Sequence, residues 1–193
     1  MQAPQTSTPM LEALLKDGAL AGEWVLDPRA SSVTVKSRSL GGLVRVNGVF
    51  REVSGTGSIV PNGEVSGTVT VAAASIDTRN TRRDTHLRSA DFFDSGKHPD
   101  ITFAADGIRP SDQGVTVTGA LTVRGRTRPL AIDAAVSVPG DEELWLDAEV
   151  VVNRADFGLT WNQLGMVSMT STLTIHAVFT KGRQTDERPS GHR

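Results

Sequence analysis

The sequence lacks features on which several common classes of protein depend. Its 193 residues include no cysteine and no tyrosine, and aromatic residues make up only 5% of the chain. Without cysteine the chain cannot carry a disulfide scaffold, a thiol nucleophile or a thiolate-bound metal. The formal net charge of −2 gives no general attraction for polyanions, so we predict no nucleic-acid partner.

Long apolar runs are missing as well. Residues 1–9 are polar without a basic stretch, and residues 10–22 are apolar only in patches. A secretion signal needs an unbroken apolar segment and a membrane-spanning helix needs about 20 such residues, so we expect a cytoplasmic protein with no stable membrane insertion. Instead, Leu11, Leu14 and Leu15 predict a short amphipathic helix whose apolar face docks on the protein's own body.

Valine, threonine and glycine are plentiful. The chain has 21 valines, 20 threonines and 19 glycines, a mixture of β-branched residues and turn formers that is typical of all-β proteins. From Glu23 onward apolar and polar residues alternate, as in Val115, Val117, Leu121 and Val123 with threonines between them. Such alternation indicates antiparallel strands with one apolar face. About eight strands with short links predict an antiparallel β-barrel or a β-sandwich.

Two segments break the alternation. Residues 79–95 predict a short helical insert that closes one end of a barrel. Residues 182–193 have nothing to bury and predict a disordered tail. We therefore divide the chain into an N-terminal extension with a short helix (1–21), a barrel domain (22–181) and the tail.

An eight-stranded barrel has a narrow interior, which side chains can fill or a slim ligand can occupy. The small inward residues of this chain fit both arrangements, and composition by itself favours the filled core. If the barrel is hollow, its apolar tube is predicted to be lined by Val33, Val35, Val69, Val71, Phe92, Phe103, Val117, Leu121, Ile132, Leu146, Val150, Phe157, Met169, Leu173 and Ile175.

The densest polar cluster lies in residues 77–88, which contain four arginines and two aspartates. Arginine presents a planar fork of donors that matches phosphate, so a cationic lid over an apolar tube would suit an amphiphile with an anionic head. The alternative is that ion pairs such as Arg83–Asp84 pin the insert to the barrel rim. Similarly, we expect Arg154 and Asp156 to form a buried ion pair that closes the barrel.

Catalytic and metal-binding patterns are weak in this chain. His86 and His98 lie near Asp84 and other carboxylates, but no H-x-x-x-H or H-E-x-x-H spacing is present. We therefore predict no metal, no catalytic residues and no enzymatic activity. The enzymatic alternative would use His86 and Asp84 as general acid and base at the barrel mouth.

Four motifs together resemble one known family. Residues 75–94 read S-I-D-T-x-N-x-x-R-D-x-H-L-R-S-x-D-F-F-D and are followed by P-x-I-x-F at 99–103. The other motifs are W-V-L-D-P at 24–28, G-A-L-T-V-R-G at 119–125 and N-R-A-D-F-G at 153–158. These sequences resemble the YceI-like family of lipid-binding proteins over roughly the whole predicted barrel domain.

The resemblance implies a lipocalin-like barrel that holds a polyisoprenoid, such as a quinone tail or polyprenyl phosphate, as carrier, store or sensor. No other cofactor is implied, and a homodimer is expected only by analogy. The candidate head-group residues are Arg82, Arg83, His86, Arg88, Trp161 and Asn162. Besides the enzymatic alternative, a filled barrel that acts as a structural, stress or interaction protein remains open.

Overall fold

The computed structural model describes residues 5–39, 44–112, 114–161 and 167–182. These residues form strands for most of their length, with two α-helices and two short 3-10 helices. In chain order the elements are α1 (Thr8–Lys16), β1 (Gly22–Leu26), β2 (Ser32–Ser39), β3 (Val44–Phe50), β4 (Val53–Ile59), β5 (Val65–Ala72), η1 (Ala73–Ser75), β6 (Ile76–Asp77), α2 (Thr81–Arg88), β7 (Asp100–Ser111), β8 (Gly114–Val123), β9 (Arg126–Gly140), β10 (Glu143–Asn153), η2 (Arg154–Phe157) and β11 (Val167–Lys181).

The strands close into a barrel. The sheet runs β1-β4-β5-β7-β8-β9-β10-β11, and β11 pairs back with β1 to complete the ring. β2 lies beside β11, β3 beside β2, and β6 beside β3, so these segments continue β1, β4 and β5 beyond short interruptions. The barrel therefore has eight antiparallel strands in sequential order. This confirms the all-β barrel prediction and excludes the sandwich.

Alternation places one side of each strand inside the barrel. On β10, for example, Leu146 and Val150 pack toward the interior, while Glu149 and Val151 are exposed on the outer surface. Pairing of β10 with β11 keeps this register over its full length, from Glu143 to Asn153. The period-two pattern of the sequence thus gives the inner wall directly.

Helix α1 lies across one end of the barrel. Leu11 is buried, and Leu14 and Leu15 pack against the core, so the predicted docking of the amphipathic helix is confirmed. The preceding residues are tied to the strands by hydrogen bonds: Thr6 N donates to Val136 O at 2.8 Å. In the described part of the chain, no helix has the length and apolar character needed to cross a bilayer.

The insert between β6 and β7 lies at the opposite end. The Asn80 side chain caps α2 by accepting a hydrogen bond from Arg83 N at 3.0 Å, and α2 ends at Arg88. The predicted helical insert is confirmed, but it is shorter than residues 79–95. Residues 89–98 form hydrogen-bonded turns instead, because Phe92 N and Asp94 N both donate to Ser89 O. The predicted disordered tail lies, from residue 183 onward, outside the described residues.

Candidate functional site

A cavity of about 880 Å³ occupies the barrel interior. Small-molecule sites in proteins usually have volumes of about 300–1,000 Å³. The interior is therefore hollow, and the expectation of a filled core from composition is wrong. Part of the reason is the inner wall of β4 and β5, where Gly57 and Gly67 face each other and add no side chain. A Cβ on Gly67 would lie only 3.0 Å from Gly57 Cα, so larger residues are not accommodated there.

The cavity lining is mostly apolar, and it includes the predicted tube residues with one exception. The lining contains Val33, Val35, Val69, Val71, Phe92, Phe103, Val117, Leu121, Ile132, Leu146, Val150, Phe157, Leu173 and Ile175. Met169 is outside it, although its Sδ lies 3.8 Å from Nη2 of Arg154, which lines the cavity. Met169 lies in the segment between Val167 and Ser171, where the pairing of β11 with β2 shifts register.

The cavity has the length of a chain-like ligand. On β10 its lining runs from Leu144 to Val152. At about 3.3 Å per residue and a strand tilt of about 40°, these residues span roughly 20 Å along the barrel axis. An elongated molecule therefore fits this interior better than a compact one.

The α1 end of the cavity is sealed by apolar side chains. Leu20 is 1% exposed and Trp24 is 2% exposed, and both line the cavity together with Leu11 and Leu15. Trp24 Nε1 donates to Leu20 O at 3.0 Å, so the one polar atom of the indole is satisfied locally. A polar group of a ligand would find no charged partner among these four residues.

The α2 end carries the basic residues of the lining. Arg38, Arg82, Arg83, Arg154 and His86 all line the cavity, whereas none of the described aspartates and glutamates does. The His86 and Trp161 rings contact each other with centroids 4.3 Å apart. His86 Nε2 and Ser37 Oγ are buried and have no hydrogen-bond partner within the described residues. This end therefore offers positive charge and unused hydrogen-bonding atoms.

Two of the predicted head-group arginines hold the insert in place. Arg83 donates through Nε to Thr78 Oγ1 at 2.7 Å and through Nη2 to Thr78 O at 2.9 Å. Arg88 Nη2 donates to Ile76 O at 2.7 Å, and Arg88 does not line the cavity. The predicted Arg83–Asp84 ion pair is wrong, because Asp84 Oδ1 accepts from Thr78 N and Oγ1 at 3.0 and 2.5 Å. Arg83 and Asp84 both form hydrogen bonds with Thr78. A neutral residue, and not an ion pair, therefore holds the insert in place.

The remaining head-group candidates differ in position. Arg82 is exposed at the mouth, where it lines the cavity. Trp161, which contacts His86, also lines the cavity and is 37% exposed. Asn162 lies outside the described residues. At the base of the insert, Arg51 Nη2 and Asp77 Oδ2 form an exposed ion pair 2.7 Å apart. Hydrogen bonding from Arg51 lowers the pKa of Asp77, and a bond from the Arg79 backbone adds to this effect.

The predicted Arg154–Asp156 ion pair is also wrong. Arg154 is 5% exposed, but Asp156 points to solvent. The cause is the η2 turn: Asn153 Oδ1 accepts from Ala155 N at 3.0 Å, and Gly158 ends the turn with a positive φ of 72°. Burial lowers the pKa of Arg154. Sequence reasoning missed this residue as part of the cavity, although the alternation of inward residues on β10 extends to it.

His86 and Asp84, the residues of the enzymatic alternative, are not joined in the described structure. Asp84 is engaged by Thr78, and no hydrogen bond joins it to His86 in the described part of the chain. Among the same residues, no three histidine, aspartate or glutamate side chains converge on a point where a metal ion would bind.

Comparison with known proteins places this hollow barrel in a family. The model of the YceI-like domain matches residues 24–179. The chain belongs to the YceI-like family. Protein YceI of Escherichia coli O6:H1 (strain CFT073) is 30% identical to it over 166 residues, which cover 81% of this chain and 86% of that protein.

Solved structures of YceI-like barrels share the fold. BcnA of Burkholderia cenocepacia superposes with a TM-score of 0.72 at 23% identity, covering 79% of this chain and 98% of BcnA. A polyisoprenoid binding domain from Saccharophagus degradans, implicated in plant cell wall breakdown, superposes with a TM-score of 0.67 at 16% identity. That superposition covers 82% of this chain and 98% of the domain.

In this YceI-like barrel, much of the long central motif has a structural task. Asp77 binds Arg51, and Asn80 caps α2. Thr78 forms hydrogen bonds with both Asp84 and Arg83. His86 is the motif residue that faces the cavity with an unsatisfied ring nitrogen. The motif therefore builds a hydrogen-bonded cover at the α2 end, and its polar residues Arg82, Arg83 and His86 line the cavity there.

Proposed function

We propose that this barrel binds one elongated, apolar-chain amphiphile, of isoprenoid or similar type, as a carrier, store or sensor. The observation that carries the proposal is the apolar cavity of about 880 Å³, sealed at the α1 end and lined by basic residues at the α2 end. The polyisoprenoid binding domain from Saccharophagus degradans has the same fold and supports a ligand of this class.

The apolar chain provides most of the binding free energy in this proposal. Burial stabilises a chain by about 0.8 kcal/mol per CH₂ group, so ten buried groups contribute on the order of 8 kcal/mol before costs. Loss of translational and conformational freedom offsets part of that gain. The wall that receives the chain consists of aliphatic side chains such as Val117, Ile132 and Ile175.

Polar groups set the orientation of the ligand. A head group placed among Leu20 and Trp24 would lose its hydrogen bonds to water without replacement, which is costly. At the other end Arg82, His86 and Ser37 provide polar contacts. The head group therefore lies at the α2 end, where the Trp161 ring is also placed to stack on a quinone.

Native mass spectrometry of freshly purified protein, followed by solvent extraction, tests this function. We expect a stoichiometric adduct whose extract contains an isoprenoid or another long-chain amphiphile. If the protein is free of ligand and also fails to bind added quinone and polyprenyl phosphate, the proposal is wrong. The barrel would then act through its surface, as a structural or interaction protein.

A matched pair of substitutions locates the ligand within the barrel. Val150 lines the cavity, whereas its neighbour Val151 is 61% exposed on the outer face. Val150→Trp should fill the tube and abolish ligand retention, while Val151→Trp adds the same side chain outside and should leave retention unchanged. Retention of ligand by a folded Val150→Trp protein would contradict binding inside the barrel.

A further inference from the structure

Arg154 is a charged side chain buried inside the α2 end of the barrel. It is 5% exposed and lines the cavity, in line with Val150 and Val152 of the preceding strand. Charged groups are seldom buried unless they are paired, because removing a charge from water is costly. The position of Arg154 therefore raises the question of what balances its charge.

No carboxylate of the described residues forms an ion pair with Arg154. The ion pairs in that part of the chain involve Arg51, Lys97 and His176 instead. Residues 40–43 and 162–166, which are outside the described residues, contain no aspartate or glutamate. Desolvation lowers the pKa of Arg154, as expected for a cation without a nearby anion.

Hydrogen bonding also leaves Arg154 with unused capacity. A guanidinium has five N–H donors. Arg154 Nε donates to Ser168 O at 3.0 Å, and Nη2 approaches Met169 Sδ at 3.8 Å, which is a weak contact. The guanidinium carbon lies 5.4 Å from the centre of the Phe92 ring. The other N–H groups have no acceptor among the described residues, and the side chain borders the cavity.

We propose that Arg154 is the internal counter-charge for an oxyanion head group, a carboxylate or a phosphate, so that the barrel takes its ligand as an anion. This inference rests on the proposed function and narrows its ligand class. Two oxygens of one oxyanion match the planar fork of a guanidinium and supply the missing charge. A neutral hydroxyl or carbonyl would accept a hydrogen bond but leave the charge unbalanced.

Other groups at this end fit the same head group. His86 Nε2 and Ser37 Oγ are buried without partners in the described part of the chain, and both residues line the cavity. Either atom can donate to an oxyanion oxygen, given the appropriate tautomer of His86. Arg82, exposed at the mouth, adds positive charge farther out. Because no described carboxylate lines the cavity, nothing in that lining repels an anion.

The competing explanation is that Arg154 has a structural role only. Through Ser168 O it ties η2 to β11, and it packs on Phe92. A structural role predicts that substitution lowers stability without changing the preference between charged and neutral ligands. The ratio of two affinities therefore separates the explanations, whereas stability alone does not.

Two matched ligand pairs measure that ratio: dodecanoate with dodecanol, and farnesyl phosphate with farnesol. Binding is followed by tryptophan fluorescence and calorimetry in wild type, Arg154→Gln, Arg154→Lys and Arg109→Gln. Arg109→Gln is the matched control, because Arg109 is exposed on the outer face of β7. The two pairs also distinguish a carboxylate ligand from a phosphate ligand.

We expect wild type and Arg109→Gln to bind at least one anion about ten-fold or more tightly than its alcohol, as hydrogen bonds to charged groups allow. Arg154→Gln should bind both members of that pair with similar affinity, and Arg154→Lys should restore part of the preference. If Arg154→Gln does not fold, NMR of the wild-type protein decides. The Arg154 Nε–H resonance should then shift with the anion and not with its alcohol.

Each result that would contradict the inference has a different consequence. If wild type binds alcohols as tightly as anions, the inference is wrong while the proposed function stands. If the preference for an anion survives Arg154→Gln, or the Arg154 resonance does not respond to it, Arg154 is not the counter-charge. If wild type binds none of the four ligands, the inference is wrong, whereas the proposed function is decided separately by native mass spectrometry and by binding of quinone and polyprenyl phosphate.

Discussion

The two ends of the barrel use the same eight strands but opposite chemistry. At the α1 end, Leu20 and Trp24 are almost completely buried and close the tube with apolar surface. At the α2 end, the tube opens onto Arg82, His86 and Trp161, of which Trp161 is 37% exposed. The strands form the tube, and the segments at its two ends make one end apolar and the other polar.

That difference also divides structural from ligand-facing residues. The α1 end is held by burial of apolar surface, which scales with area and stabilises the empty protein. The α2 end is held by hydrogen bonds around Thr78, while His86 Nε2 and most donors of Arg154 have no partner in the described residues. Substitutions at the two ends should therefore separate stability from binding.

The largest effect on stability is expected from Trp24→Ala. The indole is 2% exposed, and deletion of such a side chain usually costs about 3–5 kcal/mol of unfolding free energy. Urea unfolding measures the change. If the variant does not fold, Trp24→Phe should still lose about 1–1.5 kcal/mol, because it removes the Nε1–Leu20 O bond and some packing. Full stability of Trp24→Phe would show that this end is not sealed by Trp24.

A smaller loss is expected from Thr78→Val, which keeps the side-chain shape. Thr78 Oγ1 donates to the buried Asp84 carboxylate and accepts from Arg83 Nε. Valine at this position would remove both hydrogen bonds. We expect a loss of about 1–3 kcal/mol in urea unfolding. Thr85→Val is a control, since the Thr85 residue is exposed and, among the described residues, its hydroxyl bonds only to Thr81 O. Equal effects of the two substitutions would contradict the pinning role of Thr78.

Trp161→Ala should show the reverse behaviour of Trp24→Ala. Because Trp161 is 37% exposed, its removal should change stability by about 1 kcal/mol or less. Affinity for a long-chain ligand should fall several-fold, since the ring contacts His86 and lines the mouth. Titration of wild type and variant with dodecanoate measures the fall. A large loss of stability with unchanged affinity would reverse the assignment of the two ends.

The smallest effect concerns the base of the insert and depends on pH. The pKa of Asp77 is lower in the folded protein than in the unfolded chain, because the Arg51 side chain bonds its carboxylate. Its contribution to stability is therefore complete above the ordinary aspartate pKa of about 3.9 and is lost as pH falls through the lower folded value. Arg51→Gln should reduce stability slightly near neutral pH, and its unfolding curve should approach that of wild type in acid. A difference that does not shrink in acid would contradict this linkage.

Alternation was sufficient to predict antiparallel strands and an apolar inner face, whereas the resemblance to the YceI-like family was needed to choose the barrel over the sandwich. Successive side chains of a strand point to opposite faces, so the pattern of Val117, Leu121 and Ile132 indicates which face is buried. Met169 is the one predicted tube residue outside the lining, and it lies where the pairing of β11 with β2 shifts register, a feature that a local pattern does not contain. Composition also could not predict that the interior is hollow, because this depends on which glycines face each other across strands.

The polar end was harder to predict than the wall. The high charge of residues 77–88 suggested a head-group site. However, Arg83 and Arg88 donate hydrogen bonds to Thr78 and Ile76 instead. Arg154 was interpreted as half of an ion pair because Asp156 is close in sequence, but η2 turns the two side chains to opposite sides. Sequence shows which side chains carry charge, whereas backbone acceptors and turns decide which of them face the cavity.

The direction of the ligand is the central claim, and two tryptophans at opposite ends can report it. Trp24 lies at the α1 end and Trp161 at the α2 end, so one protein keeps only Trp24 and a second keeps only Trp161, with phenylalanine at the other tryptophan positions. Each is titrated with dodecanoate brominated either on the terminal carbon or next to the carboxylate, since bromine quenches tryptophan fluorescence on contact. We predict that terminal bromine quenches Trp24 more strongly and that bromine near the carboxylate quenches Trp161 more strongly. The reverse pattern, or equal quenching of both tryptophans by both ligands, would contradict a chain that enters the barrel tail first.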